Sequence, residues 1–216
     1  MAVVVIGGHS RNVGKTSVVA GLISALPEYG WTAVKITQYG HGVCSANGAP
    51  CDCATTDHAW AISEEKNRSG ESDTSRFLAA GANRALWVRT EQGRLAEAMS
   101  SFRERIQNSH NVIIESNSVM KFLRPDVYLT VLDPQTEDFK KSAKEFLDRA
   151  DAVILHTDGE ESDSRWTGVS LKPVSDRPLF LIKPPPYLTA EIAAFVRGRM
   201  EHNDRESTST PVTIRK

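Results

Sequence analysis

Lys15, Thr16 and Ser17 follow Gly14 directly, and five residues separate Gly14 from an earlier glycine, Gly8. Main-chain N–H groups in a glycine-permitted turn, backed by the positive end of a helix, attract phosphate. In such a turn Lys15 would reach the outer phosphates of a nucleotide and the Thr16 hydroxyl would hold Mg²⁺. Gly8, Asn12, Val13, Gly14 and Ser17 would complete the nucleotide-binding set. The usual spacing leaves four residues between the two glycines, so this loop is a variant, one residue longer. The alternative is a chance glycine turn, against which the segments on either side both argue.

Glu115 is the second chemical feature. It closes an otherwise apolar run, Asn111-Val-Ile-Ile-Glu115. An acid at the carboxyl end of such a strand projects into the crevice where α/β sheets bind ligands. There it would bind Mg²⁺ or orient a water; the alternative is an exposed strand-end acid. Lys35 ends another apolar segment and would neutralise charge developing on a phosphoryl group, or else be a solvated lysine. Asp73 would serve as a metal or substrate ligand, or as the N-cap of a helix. Lys15, Lys35 and Glu115 form the candidate catalytic set, and Thr16, Asp73 and Glu115 the candidate Mg²⁺ set.

Cys44, Cys51 and Cys53 lie close together, with His41 and His58 alongside. Three thiolates and an imidazole, with His58 as the fourth ligand, match a tetrahedral zinc site. Buried free thiols or a redox-sensitive loop remain open, because Cys-x-Cys forces a sharp bend between two ligands.

The elements that must position these groups follow from hydrophobic period. Residues 3–6 are β-branched and read as a buried strand. After the glycine turn, Val18, Val19, Leu22, Ile23 and Leu26 line one face of a helix that Pro27 ends. Further strands are predicted at 32–37, 85–89, 111–116, 126–132, 151–155 and 178–182. Helices are predicted from Asp73 to a stop near Gly81, over 91–106, from Phe139 to Ala150 and over 189–200. Continuous apolar strands alternating with amphipathic helices imply a three-layer α/β fold with a mostly parallel central sheet. Residues 38–72 carry no sustained period and read as a long Cys-containing insertion loop of the kind that is usually functional.

A chain of 216 residues suits one domain with a filled core, here 1–200, followed by a flexible polar tail at 201–216. A formal net charge of −1 sets up no field toward nucleic acid or anionic membrane, so neither is an expected partner. No apolar run approaches the ~20 residues that span a bilayer. Residues 3–6 lack the basic flank of a signal peptide. Three cysteines do not resemble a disulfide framework, and a reducing cytoplasm is expected. A GTPase of the common type would offer Asn-Lys-x-Asp after a late strand; here the corresponding run is His156-Thr-Asp-Gly. ATP and GTP both remain open.

Taken together, the loop, the segment ending in Lys35, the stretch from Ser72-Asp-Thr-Ser-Arg76 to Ala80-Gly-Ala82, and the strand ending in Glu115 resemble the MobB family. That family is associated with molybdenum-cofactor synthesis and belongs to a P-loop NTPase class shared with dethiobiotin synthetase. The five-residue glycine spacing with Val13-Gly14-Lys15-Thr16, and Lys35, are similar to dethiobiotin synthetase, and the aspartate–arginine helix is MobB-like. The resemblance covers roughly residues 3–120 and implies nucleoside-triphosphate binding with Mg²⁺ and weak intrinsic NTPase activity. It also implies a partner protein of cofactor biosynthesis and leaves a homodimer open. Two rival functions remain: a small-molecule ligase or kinase, and a nucleotide-switched metallochaperone using the cysteines. The chain departs from the MobB pattern where Ser116-Asn117 replaces the usual glycine after Glu115, and in the cysteine loop.

Overall fold

The computed structural model describes residues 1–39, 59–157 and 166–208, the side chains of 203–208 excepted. The strand β1 (Val3–Gly8) buries Val4 and Ile6 on one face and Val5 on the other. This is the period-two pattern of a strand covered on both sides. The helix α1 (Lys15–Ala25) follows, and then β2 (Trp31–Tyr39), β3 (Trp60–Glu64) and α2 (Asp73–Ala79). After them come β4 (Arg84–Glu91), α3 (Leu95–Ile106), β5 (Asn111–Glu115), β6 (Val127–Leu132) and α4 (Lys141–Glu145). The described chain ends with β7 (Ala152–His156), β8 (Leu179–Ile182) and α5 (Ala190–Thr208).

The strands form one sheet in the order β3-β4-β2-β5-β1-β6-β7-β8. Every neighbouring pair is parallel except β3–β4. One face is covered by α1, α2 and α5 through side chains such as Leu22, Phe77 and Ile192. The other is covered by α3 and short turns through Phe102, Leu147 and Val174. The fold is therefore the three-layer α/β arrangement that the apolar strands imply. Strand β1 lies between β5 and β6, where the chain changes direction across the sheet. The crevice beyond the carboxyl ends of strands at such a switch point is where these sheets bind ligands.

Several elements differ from the sequence reading. Residues 60–64 form an edge strand inside the stretch read as structureless. All five of its residues are half-buried, so no in–out alternation announces it. The predicted helix from Phe139 to Ala150 breaks at Phe146, which leaves helical geometry between α4 and a short 3₁₀ turn at Leu147–Arg149. The last helix continues to Thr208, eight residues into the segment read as a tail.

Asp73 is not the cap of α2. Ser72 holds that position: its Oγ accepts from the Ser75 N–H at 3.1 Å, while the Ser75 Oγ accepts from the Ser72 N–H at 2.8 Å. This reciprocal box satisfies two otherwise orphaned donors. Gly81, with φ 107°, ends the helix as read, its N–H donating to the Leu78 carbonyl. Ser72→Ala is expected to cost about 1 kcal/mol. It should lower the urea midpoint without changing the slope of the transition, and an unchanged midpoint would remove the box from the fold's supports.

Candidate functional site

The turn between β1 and α1 is built around a left-handed residue. Gly14 is the N-cap of α1 with φ 83° and ψ 9°, and no side chain caps the helix. The first N–H groups of α1 are thus left to a ligand or solvent. A Cβ at Gly14 would also lie 2.2 Å from the Tyr187 ring, so conformation and space both exclude other residues there. Asn12 is a second positive-φ position, at 59°. Successive main-chain N–H groups in such a turn form an anion-binding concavity.

Asn117 pins the start of the loop. Its Oδ1 accepts from the Gly8 N–H at 2.9 Å, and its Nδ2 donates to the Gly8 carbonyl at 2.8 Å. Val13 is fully buried and anchors the loop in the core, so only its main chain is available for binding.

His9 is buried with both ring nitrogens engaged. Nε2 accepts from the Asp133 N–H at 3.0 Å, which leaves Nδ1 to donate to the Asp138 carbonyl at 2.8 Å. Burial lowers its pKa against the pull of nearby acids and keeps the ring neutral. This histidine is a brace, not a ligand.

The reactive groups meet at the ends of neighbouring strands. Lys35 of β2 and Glu115 of β5 are direct register partners on the face that α1 and α2 cover. The Glu115 carboxylate is buried; it accepts from Lys35 Nζ at 2.9 Å through Oε1 and from the Thr16 hydroxyl at 2.7 Å through Oε2. Lys35 also donates to Asp73 Oδ2. Burial alone would lower the Lys35 pKa, but Glu115 and Asp73 outweigh it and the net shift is upward. Burial would likewise raise the Asp73 pKa. The hydrogen bond and charge of Lys35, with a contribution from Thr16, reverse that and hold the carboxyl below its ordinary value. Arg76, one turn along α2, donates to Ser17 Oγ at 2.9 Å and docks that helix on the loop.

Lys15 bends back over its own turn and donates to the Ser10 carbonyl at 2.5 Å. Burial pushes its pKa down to about 8, against the opposing pull of Glu115. A charged ammonium held here among its own loop's groups gains from a polyanion.

The structure thus brings together Gly8, Asn12, Val13, Gly14, Lys15, Thr16, Ser17, Lys35, Asp73 and Glu115. Thr16, Asp73 and Glu115 offer oxygen donors only. Among the described residues no set of three His, Cys, Asp or Glu side chains is gathered. Few, hard oxygen donors next to a phosphate-binding turn fit Mg²⁺, which prefers substrate phosphates and water to an all-protein cage. Cys44, Cys51, Cys53 and His58 lie outside the described residues, as does Asp158.

Asn117, Arg76 and Tyr187 have roles that the sequence reading did not assign. Tyr187 follows Lys183-Pro-Pro-Pro186 and its ring lies 5.7 Å from that of His156, at the end of β7. Three consecutive prolines stiffen the chain just before the ring that presses on the loop. No helix among the described residues is long and apolar enough to cross a membrane.

No protein-family model matches the chain, and no curated protein matches it significantly. Solved structures do. Nickel-bound HypB from Helicobacter pylori is 12% identical with a TM-score of 0.49, over 98% of this chain and 91% of that one. Bacillus subtilis MobB is 14% identical with a TM-score of 0.39, over 92% and 97%. ATP-bound LpxK from Aquifex aeolicus is 18% identical with a TM-score of 0.46; the match covers 84% of this chain but only 53% of that one. These are likenesses of overall fold. The three-layer fold rests on the sheet itself, and the phosphate-binding reading on the strand–turn–helix geometry around Gly14.

An unfolded lysine keeps its proton to a pH of about 10.4, whereas folded Lys15 releases it near 8. Between those values the unfolded chain binds more protons, so this group makes stability rise with pH across that window. Lys15→Met removes the penalty. The variant should be more stable than the parent at pH 7, with the gain shrinking above pH 8 and vanishing by about pH 10.5. Urea denaturation across that range checks it, and a gain independent of pH would contradict the assignment.

Proposed function

We propose that this chain is a MobB-like P-loop nucleoside-triphosphate-binding protein with weak intrinsic NTPase activity, its turnover tied to a partner protein in molybdenum-cofactor maturation. The single observation carrying the reading is the convergence of Thr16 and Lys35 on Glu115, with Asp73 on the same Lys35, beside a helix N-terminus that no side chain caps. What supports the MobB-like part is the aspartate–arginine helix, whose Asp73 and Arg76 both bond to residues of this site.

In this reading the main-chain N–H groups of residues 12–17 and the Lys15 ammonium hold the phosphates. Lys15 exchanges the Ser10 carbonyl for a phosphate oxygen, a partner that favours its charged form. Thr16 with Glu115 and Asp73 would hold Mg²⁺, which when bound supplies neutralisation of phosphate charge. The Glu115 carboxylate orients the attacking water, and Lys35 offsets negative charge that builds on the phosphoryl group in the transition state. Gly14 supplies the left-handed turn that opens α1 and leaves room for the Tyr187 ring against the loop.

Lys15→Ala is expected to abolish binding of triphosphate in a fluorescent-nucleotide titration, and unchanged affinity would defeat the phosphate assignment. Glu115→Gln should keep affinity within about tenfold while cutting turnover roughly a hundredfold or more. A variant with the parent's rate would leave Glu115 a structural acid.

A further inference from the structure

The segment between β6 and α4, residues 133–140, is fastened to the phosphate loop at four points. The Asp133 N–H donates to His9 Nε2 at 3.0 Å and His9 Nδ1 donates to the Asp138 carbonyl at 2.8 Å. Ser10 Oγ donates to Asp138 Oδ2 at 2.7 Å, and the Lys140 N–H donates to the His9 carbonyl at 2.8 Å. His9 and Ser10 are themselves buried, so this attachment is part of the interior. It holds the main chain of Lys140 one hydrogen bond from the loop that would carry the phosphates.

The Lys140 side chain is half-buried, and burial is the foremost influence on its ammonium. Among the described residues that ammonium makes no hydrogen bond; it interacts at longer range with Arg11, Asp138, Glu115 and Lys35, and it acts in turn on Lys15. Asp138 is already engaged by Ser10, while Glu115 is engaged by Lys35 and Thr16. Glu115 and Asp73 are committed to Lys35, which leaves Lys15 and Lys140 side by side with no carboxylate on either ammonium among the described residues. Cations so placed repel one another, and a multiply charged anion among them relieves the repulsion.

Building on the nucleotide reading, we propose that Lys140 contacts the terminal phosphate of a bound nucleoside triphosphate and sets the preference for triphosphate over diphosphate. The terminal phosphate is the one assigned because Lys140 stands outside the loop, on the segment that follows β6 and is bonded across to His9. Lys15, anchored in the loop itself, serves the inner phosphates as well. Substituting the Lys140 side chain leaves its main-chain bond to His9 in place, so the loop keeps its support.

The test uses the full chain with Mg²⁺, titrated with ATP, ADP, GTP and GDP. Lys140→Ala should weaken triphosphate binding by about tenfold or more, the size of one charge-assisted hydrogen bond, and Lys140→Arg should recover part of the loss. Diphosphate affinity should stay within about twofold, as for a charge that does not touch the ligand. Equal losses for both ligands, or no loss for either, would overturn the role of Lys140 while leaving the nucleotide reading intact. A parent protein that binds none of the four nucleotides would overturn both.

Discussion

The site depends on one buried carboxylate. Glu115 sits at the end of a central strand with an ammonium on one oxygen and a hydroxyl on the other. A buried carboxylate without such partners is strongly disfavoured; removing Lys35 leaves charge uncompensated in the interior, and removing the Thr16 hydroxyl leaves a carboxylate oxygen unsatisfied. The pairing therefore ties three elements to each other: β5 through Glu115, β2 through Lys35, and the first turn of α1 through Thr16. Asp73 extends the tie to α2. Any ligand that takes Thr16 or Lys35 away from Glu115 must supply charge in exchange, and a phosphate-bound cation meets that demand.

The second constraint is steric. Gly14 must be left-handed, and Tyr187 stands where a Cβ would be. Asn117 does for the near side of the loop what a glycine-rich main chain would do, closing a two-bond ring with Gly8. The loop is braced by Asn117 on one side and by Tyr187 on the other. Within the longer glycine spacing, Val13 and His9 are both fully buried.

Much of this was legible from the residues. The turn could be read because strand, glycines and helix are local features, each with its own signature in the chain. Glu115 could be read because a lone acid after Val112-Ile-Ile114 has no packing reason to be there. What could not be read is pairing across the sheet. That Lys35 falls opposite Glu115 depends on β2 lying beside β5, a register that no local pattern encodes. The cap of α2, with Asp73 readable as either a ligand or the cap, is left open by the sequence for a related reason. Ser72 and Asp73 are both good caps in isolation, and the long-range pull of Lys35 on Asp73 decides between them. Strand β3 escaped notice because an edge strand half-covered on both faces shows no alternation. Asn117 looked like a departure from a family pattern, when its amide is simply able to donate and accept at once.

The most direct measurement is a crystal structure of the full chain with Mg²⁺ and a non-hydrolysable nucleoside triphosphate. The account predicts phosphates against the main-chain N–H groups of residues 12–17. Lys15 Nζ should have moved from the Ser10 carbonyl to a phosphate oxygen, and the Thr16 hydroxyl should have left Glu115. A triphosphate bound elsewhere, with Lys15 still on Ser10 and Thr16 still on Glu115, would contradict it.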